Sequence, residues 1–257
     1  MNEHQYTAAG QKTRINLHTH TTWSDGSYTP EQLIRAGVVH NLTHLGITDH
    51  FYTRKVAAPQ FYVDVDEVAE YAADLRALAE KYQNRIQVMV GIEVDWSLRA
   101  MGRFVDLMPL LYHLDYVLFE YVGDAEWAGN SLDSLLWALP EVPIPAGLAH
   151  NDLARNFAGT HTPEELVQTL EENNLFVELA TRQGAMGYMS EEPYNLALWE
   201  ELSASEVLFS VGSDIHRFID DVGDVNAGHE FLARRGILDR LITTRWNSDT
   251  RTWSRRR

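Results

Sequence analysis

An α/β fold made of repeated βα units is predicted by three observations. Short β-branched or apolar runs alternate with longer runs of helical period, several of the longer runs open on N-capping signatures, and no Pro/Gly/Ser-rich stretch or fixed-period repeat breaks the alternation. The strand-like runs cover residues 15–18, 44–48, 86–93, 115–121, 146–150, 175–179 and 207–212. Between them, Thr29-Pro30-Glu31-Gln32 and Thr162-Pro163-Glu164-Glu165 each place Thr at N-cap, Pro at N1 and Glu or Gln at N3. Asp64-Val65-Asp66-Glu67 opens another helix whose apolar stripe is Val65, Val68, Ala69, Ala72, Leu75, Leu78 and Ala79. Residues 190–202 and 226–235 fit two more. One domain is the economical reading, either a closed barrel or an open sheet.

Composition narrows the chemistry. The 257 residues carry 21 Lys+Arg against 37 Asp+Glu, a formal charge of −16, with 11 His and no Cys. Without cysteine there is no disulfide framework, thiolate zinc site, iron–sulfur cluster or cysteine nucleophile, so metal or acid/base chemistry falls to His and carboxylates. The compartment stays open on redox grounds. Mean hydropathy is −0.29, and no apolar run approaches the ~20 residues of a membrane span. The first residues, MNEHQYTAAGQKTR, lack an apolar signal-peptide core, which makes a cytoplasmic protein the default expectation. From Arg245 onward five arginines face one acid, a net +4 that leaves −20 on residues 1–244. We therefore expect a barrel or sheet domain over residues 1–244 and an exposed Arg-rich tail over 245–257. The body charge opposes long nucleic acid as a partner.

Histidines and acids gather at the C-terminal ends of the strand-like runs. Leu17-His18-Thr19-His20 ends the first, and residues two apart on a strand project to the same side, so two imidazoles could share one ion. Ser24-Asp25-Gly26 follows on the next loop, Thr48-Asp49-His50 ends the second run, Gly91-Ile92-Glu93 the third, Ala149-His150 the fifth and Gly212-Ser213-Asp214-Ile215-His216 the seventh. In a βα barrel that rim is where active sites are assembled from several strands. Each residue alone reads equally well as a cap or a satisfied core group. Together they do not, because burying this many ionisable groups without a shared cation carries a large desolvation cost.

The motifs HTHTTWSDG, ITDH, GIEVD, LAH and GSDIH, in this order from His18 to His216, resemble those of the PHP (polymerase and histidinol phosphatase) family of metal-dependent phosphoesterases. The resemblance implies a distorted (β/α)7 barrel, TIM-like, with two or three zinc, manganese or iron ions at the C-terminal rim. It implies that His18, His20, Glu93 and Asp214 hold one ion. Glu93 then bridges to a second shared with His150, and Asp25, His50 and His216 hold a third. The implied catalytic groups are Asp25, His50, Glu93 and Asp214, and the reaction is attack of a metal-bound hydroxide on the phosphoester of a small metabolite such as histidinol phosphate or a nucleotide. One position departs from the pattern. The family offers a further histidine just after the fourth strand, whereas here that segment reads DYVLFEYVG; His113 precedes the strand, and Glu120 is either a replacement ligand or a salt-bridged neighbour.

Mixed imidazole and carboxylate ligation suits zinc, manganese or ferrous iron better than magnesium or calcium. Asp49, Asp95 and Asp152 are candidates to orient imidazoles, with plain strand-end acids as the equal alternative. Arg54, Lys55, Arg99, Arg182 and Arg217 follow strand ends and could meet the phosphate, Arg182 and Arg217 being the preferred pair. Tyr52, Trp96 and Tyr188 are expected either to shape the pocket or to pack in the core. His4, His40, His44, His113, His161 and His229 have no motif context. Two other readings stay open: an amidohydrolase-type metal hydrolase, which also uses H-x-H at a barrel rim, and a non-catalytic metal-binding or regulatory module.

Overall fold

A computed structural model describes residues 13–53, 61–182, 186–247 and 252–254. The strands are β1 (Ile15–Asn16), β2 (His44–Ile47), β3 (His50–Phe51), β4 (Gln87–Asp95), β5 (Tyr116–Glu120), β6 (Ala146–Leu148), β7 (Phe176–Ala180) and β8 (Phe209–Gly212), with a terminal hairpin of β9 (Trp246–Asn247) and β10 (Thr252–Trp253). The helices are α1 (Pro30–Val39), α2 (Val68–Tyr82), α3 (Phe104–Leu107), α4 (Leu132–Ala138), α5 (Leu153–Phe157), α6 (Pro163–Glu172), α7 (Pro193–Ala204) and α8 (Asn226–Arg234).

Strands pair in parallel in the order β1-β2-β4-β5-β6-β7-β8, and the short β3 extends the β2 side along the rim half of β4. The register sets Ile15 beside His44, His44 beside Gln87, Glu93 beside Leu118 and Glu178 beside Ser210. Backbone bonds then join the two ends of the sheet: Leu17 N–H donates to Val211 O at 2.8 Å, Asp214 N–H to His18 O at 2.9 Å and His20 N–H to Ile215 O at 3.1 Å. The result is the seven-stranded, distorted barrel that the strand count and the resemblance anticipate. The strands at the rim are shorter than the apolar runs, because residues such as His18 and His150 leave the ladder to aim their side chains inward.

Helix starts follow the capping chemistry. Thr29 and Thr162 both close capping boxes with Gln32 and Glu165, and Asp64 does so with Glu67 at the short 3-10 turn that leads into α2. On α2 the buried face is Val68, Tyr71, Ala72, Leu75, Ala79 and Tyr82, so Ala69 points outward and two tyrosines replace it. Tyr71 can be buried because its hydroxyl donates to Gly91 O at 2.9 Å.

Buried side chains fill the barrel interior. Tyr116 of β5 crosses it, donating from its hydroxyl to Leu17 O on the far side at 2.7 Å. A Cβ at Gly46 would lie 1.9 Å from that hydroxyl and one at Gly91 2.6 Å from the same ring, so both crossing points need glycine.

The end of the chain is more anchored than its arginines suggest. Trp246 and Trp253 face each other at 4.9 Å across the terminal hairpin, and Trp253 donates its indole N–H to Asp115 O at 2.7 Å. The two half-buried tryptophans tie this part of the arginine-rich tail to the residue before β5. Arg251 and Arg255 to Arg257 lie outside the described residues, as does His4. Among the described residues no helix is long and apolar enough to cross a membrane.

Candidate metal centre

The C-terminal ends of the strands bring five imidazoles and four carboxylates to one point. His18 and His20 leave β1 on the same side, with their Nε2 atoms 3.0 Å apart. Glu93, from the middle of the rim half of β4, lies between the groups: its Oε1 is 3.2 Å from His18 Nε2 and 3.0 Å from His150 Nε2, and its Oε2 is 2.9 Å from His50 Nδ1. Asp214 Oδ1 is 3.1 Å from His20 Nε2. Asp25 Oδ1 is 3.2 Å from His216 Nε2, 3.7 Å from His50 Nε2 and 3.8 Å from His20 Nδ1.

Four overlapping groups have donor spacing fit for a cation: His18, His20 and Asp214; His18, Glu93 and His150; His20, Asp25, His50 and His216; and His50, Glu93 and Glu120. Thus every motif residue is gathered, and His20 faces the third group as well as the first. Glu120 joins them. It is fully buried at the end of β5, 3.6 Å from His50 Nδ1 and 3.8 Å from His150 Nε2. His113 sits at the opposite end of that strand, in the 3-10 turn before β5.

Backbone conformation helps to aim these side chains. His150 and Asp214 have φ of +32° and +50°, in the left-handed region that non-glycine residues avoid, and Tyr121, just after Glu120, has +64°. Such strain at strand exits marks a site held by the surrounding structure.

Burial and the closeness of rings and carboxyls set the electrostatics of the cluster. Burial pushes His20 down to about 3, aided by His216 and His50, so its ring is a neutral donor. Burial, the largest single influence, would raise Glu93 and Asp214, but the surrounding imidazoles, His18 first with His50 and His150 at Glu93 and His20 and His150 at Asp214, together outweigh it and hold both carboxyls well below the ordinary range. Buried atoms are left unmatched: His20 Nδ1 and Glu93 Oε2 make no hydrogen bond of acceptable geometry. Orphaned buried donors and acceptors cost about 1–3 kcal/mol each. A set of nitrogen and oxygen atoms at these spacings fits divalent cations of the zinc, manganese or ferrous type.

Asp49, Asp95 and Asp152, the three candidates, hold backbone and hydroxyl groups. Asp49 accepts from Thr21 N–H, Thr21 Oγ1 and Ser24 Oγ at 2.7, 2.7 and 2.6 Å, which ties down the loop carrying Asp25. Asp95 accepts from Thr53 Oγ1 and Ser97 N–H, and Asp152 caps α5. Glu178 of β7, 3% exposed, instead takes His18 Nδ1 at 2.9 and 3.0 Å. Its sequence signal is a lone glutamate inside the apolar strand Phe-Val-Glu-Leu-Ala.

Beside the cluster opens a cleft of about 1030 Å³, lined by Asp25, His150, Asp214 and His216 and also by Arg155, Arg182 and Arg217. Arg182 reaches Asp214 Oδ2 at 2.7 Å, and Arg217 is exposed at the rim. Arg155, unanticipated, pairs with Asp124 and lies 3.5 Å from Glu126. Arg99 is exposed away from the lining, and Arg54 and Lys55 lie outside the described residues. Tyr52, Trp96 and Tyr188 do not line the cleft. Trp96 is buried against Phe104 and Phe119, Tyr52 packs on Tyr62, and Tyr188 packs on Phe231. The cleft is walled instead by Phe61, Trp127, Phe218 and Tyr121, with Tyr121 and Trp127 stacked at 5.1 Å.

A family model described as "PHP domain" matches residues 16–204 of the chain. The chain belongs to the PHP domain family. The matched segment stops before the Asp214 and His216 motif, which the barrel closes onto the same cluster. Three curated relatives align over part of the domain: a probable histidinol-phosphatase of Deinococcus radiodurans, 25% identical over 50% of this chain and 56% of its own; the DNA polymerase/3'-5' exonuclease PolX of Bacillus subtilis, 29% over 31% and 13%; and the 5'-3' exoribonuclease Rnm of Salmonella typhimurium, 31% over 35% and 31%. This PHP chain therefore spans at most about half the length of these relatives. Among solved structures, the histidinol phosphate phosphatase of Lactococcus lactis, complexed with zinc, L-histidinol and phosphate, superposes with a TM-score of 0.56 at 17% identity, covering 87% of this chain and 94% of its own. A putative histidinol phosphatase of Listeria monocytogenes gives 0.52 at 16% identity, covering 85% and 99%. These likenesses bear on the fold, and they agree with the seven-stranded barrel.

Proposed function

We propose that this PHP domain is a metal-dependent phosphoesterase that hydrolyses a small phosphorylated metabolite, histidinol phosphate and nucleotides being the first classes to try. The observation that carries the reading is the meeting of five imidazoles and four carboxylates at one rim, with buried donor atoms left unmatched. His18, His20 and Asp214 would hold one divalent ion, Glu93 with His18 and His150 a second, and Asp25, His50 and His216 with His20 a third. Glu120 would take the place of the missing histidine beside His50 and Glu93. When bound, such cations neutralise the phosphoryl oxygens, lower the pKa of water and stabilise the leaving oxygen.

The chain's own groups complete the site. Asp25, His50, Glu93 and Asp214 fix the arrangement of positive charge, and neutral His20 offers a lone pair that needs no deprotonation. Arg182 and Arg217 at the cleft mouth present N–H donors to a phosphate dianion. The cleft volume exceeds what phosphate needs and leaves room for a metabolite beside Trp127 and Tyr121.

The test is metal analysis of the purified chain, followed by a substrate panel of phosphomonoesters, nucleotides and cyclic amides. The reading expects co-purified transition metal, phosphate release, loss of activity with chelator, and inactive His18→Ala and Asp214→Ala variants with reduced metal. Hydrolysis of cyclic amides alone would favour the amidohydrolase reading. Stoichiometric metal with no turnover would favour a regulatory module.

A further inference from the structure

Glu178 differs from the other carboxylates around the cluster in facing a ring nitrogen on the side away from the ion positions. Its two oxygens accept from His18 Nδ1 at 2.9 and 3.0 Å, and Oε2 also accepts the backbone N–H of His150 at 2.6 Å. An ionised carboxylate can only accept, so the Nδ1 of His18 carries the proton and its Nε2 is the atom turned toward Glu93 and His20. The same carboxylate holds the amide of a residue whose φ is +32°, a conformation that non-glycine residues adopt only where the surroundings support it.

The surrounding strands make room for this arrangement. A Cβ at Gly212 would lie 2.0 Å from Glu178 Oε1 and 2.4 Å from His18 Cβ. Glycine at the end of β8 is thus what lets a carboxylate from β7 sit between β1 and β6. By contrast, His20, Asp25, His50 and His216 are held by one another and by the Asp49-pinned loop.

We infer that Glu178 is a positioning residue that couples two ion positions. By fixing the tautomer of His18 and the backbone of His150 together, it aims both imidazoles at the space beside Glu93, and the His20, Asp25, His50 and His216 group does not depend on it. The inference rests on the metal-dependent reading proposed above.

The test uses the full chain, stripped with chelator and titrated with Co²⁺ while visible absorption and bound metal are followed. In Glu178→Gln and Glu178→Ala, the ions held through His18 and His150 should weaken by about 10- to 100-fold. The remaining ion should keep its wild-type affinity and its share of the cobalt spectrum. The Gln variant should lose less, since one amide oxygen can still accept from Nδ1 while the NH₂ opposes the His150 N–H. Full retention of every ion would overturn the inference, as would equal weakening of all of them in a variant with native circular dichroism. A second measurement needs no variant: in zinc-loaded wild-type protein, long-range ¹H–¹⁵N correlations should put the His18 proton on Nδ1. A proton on Nε2 overturns the inference even if both variants fail to fold. A wild-type chain that binds no metal would instead bring down the metal-dependent reading, and this one with it.

Discussion

Asp214 divides its carboxylate between two partners, turning Oδ1 to His20 Nε2 at 3.1 Å and Oδ2 to Arg182 at 2.7 Å. One oxygen faces the imidazole cluster and the other is held by a half-exposed guanidinium at the cleft wall.

Arg182→Ala should therefore destabilise the metal-free protein more than the loaded one. Losing the partner leaves a buried carboxylate oxygen short of a donor, worth about 1 kcal/mol after allowance for the exposure of Arg182. That corresponds to a fall in Tm of about 2–4 °C for a domain of this size. Adding Mn²⁺ or Zn²⁺ should narrow the gap, because a cation supplies the missing charge. Differential scanning calorimetry with and without metal checks this, and an unchanged gap would count against it.

Glu120 offers a cleaner distinction between ligand and bystander. If its carboxylate joins His50 and Glu93 around an ion, Glu120→Gln should lose about one metal equivalent on dialysis against a weak chelator, with turnover reduced at least about tenfold. Glu120→His should retain the ion. A bystander would leave metal content untouched in both variants.

His44, at the opposite end of β2, predicts a pH effect on stability. Burial lowers its pKa to about 4 from the usual 6.5. The unfolded chain then binds the extra proton between those values, so the neutral folded form is stable above about pH 6.5 and loses that stability as pH falls toward 4. Between about pH 7 and about pH 5 the metal-free wild type should lose on the order of 2 kcal/mol relative to His44→Gln. Urea unfolding of both proteins at the two pH values measures the difference. A constant difference would show that His44 does not titrate in this range.

Thr162→Ala should cost about 1 kcal/mol by opening the capping box of α6 while leaving metal content unchanged. Thermal unfolding alongside metal analysis would separate the two effects.

The fold and most of the cluster were legible in sequence because each strand exit sets a polar residue directly after an apolar run. His18, His50, Glu93, His150 and Asp214 share that grammar, and Thr29, Asp64 and Thr162 announce their helices in the same local way. Glu178 was hidden for the opposite reason. It sits mid-strand, where period-2 alternation reads an acid as facing solvent, and only closure of β8 against β1 shows that it points at His18. Pocket walls and core rings stayed undivided in sequence because nearness to a strand end does not say on which side of the loop a ring falls. Trp96 follows β4 directly yet turns into the core, while Trp127 comes from the loop after β5. The tyrosines of α2 were missed because a stripe drawn from aliphatic residues passes over rings whose hydroxyls find acceptors, the Gly91 carbonyl for Tyr71 and the Glu31 carboxylate for Tyr82.

Tyr116 spans the barrel from β5 to the Leu17 carbonyl past Gly46 and Gly91. These three positions form a steric lock inside the domain, and shrinking the ring alone would not open it, because a Cβ at Gly46 would still lie 2.9 Å from Leu17 Cα and one at Gly91 2.6 Å from Thr48 Cγ2. The lock also sits directly beneath His18, which makes the filling of the lower barrel a determinant of how firmly the metal rim is seated.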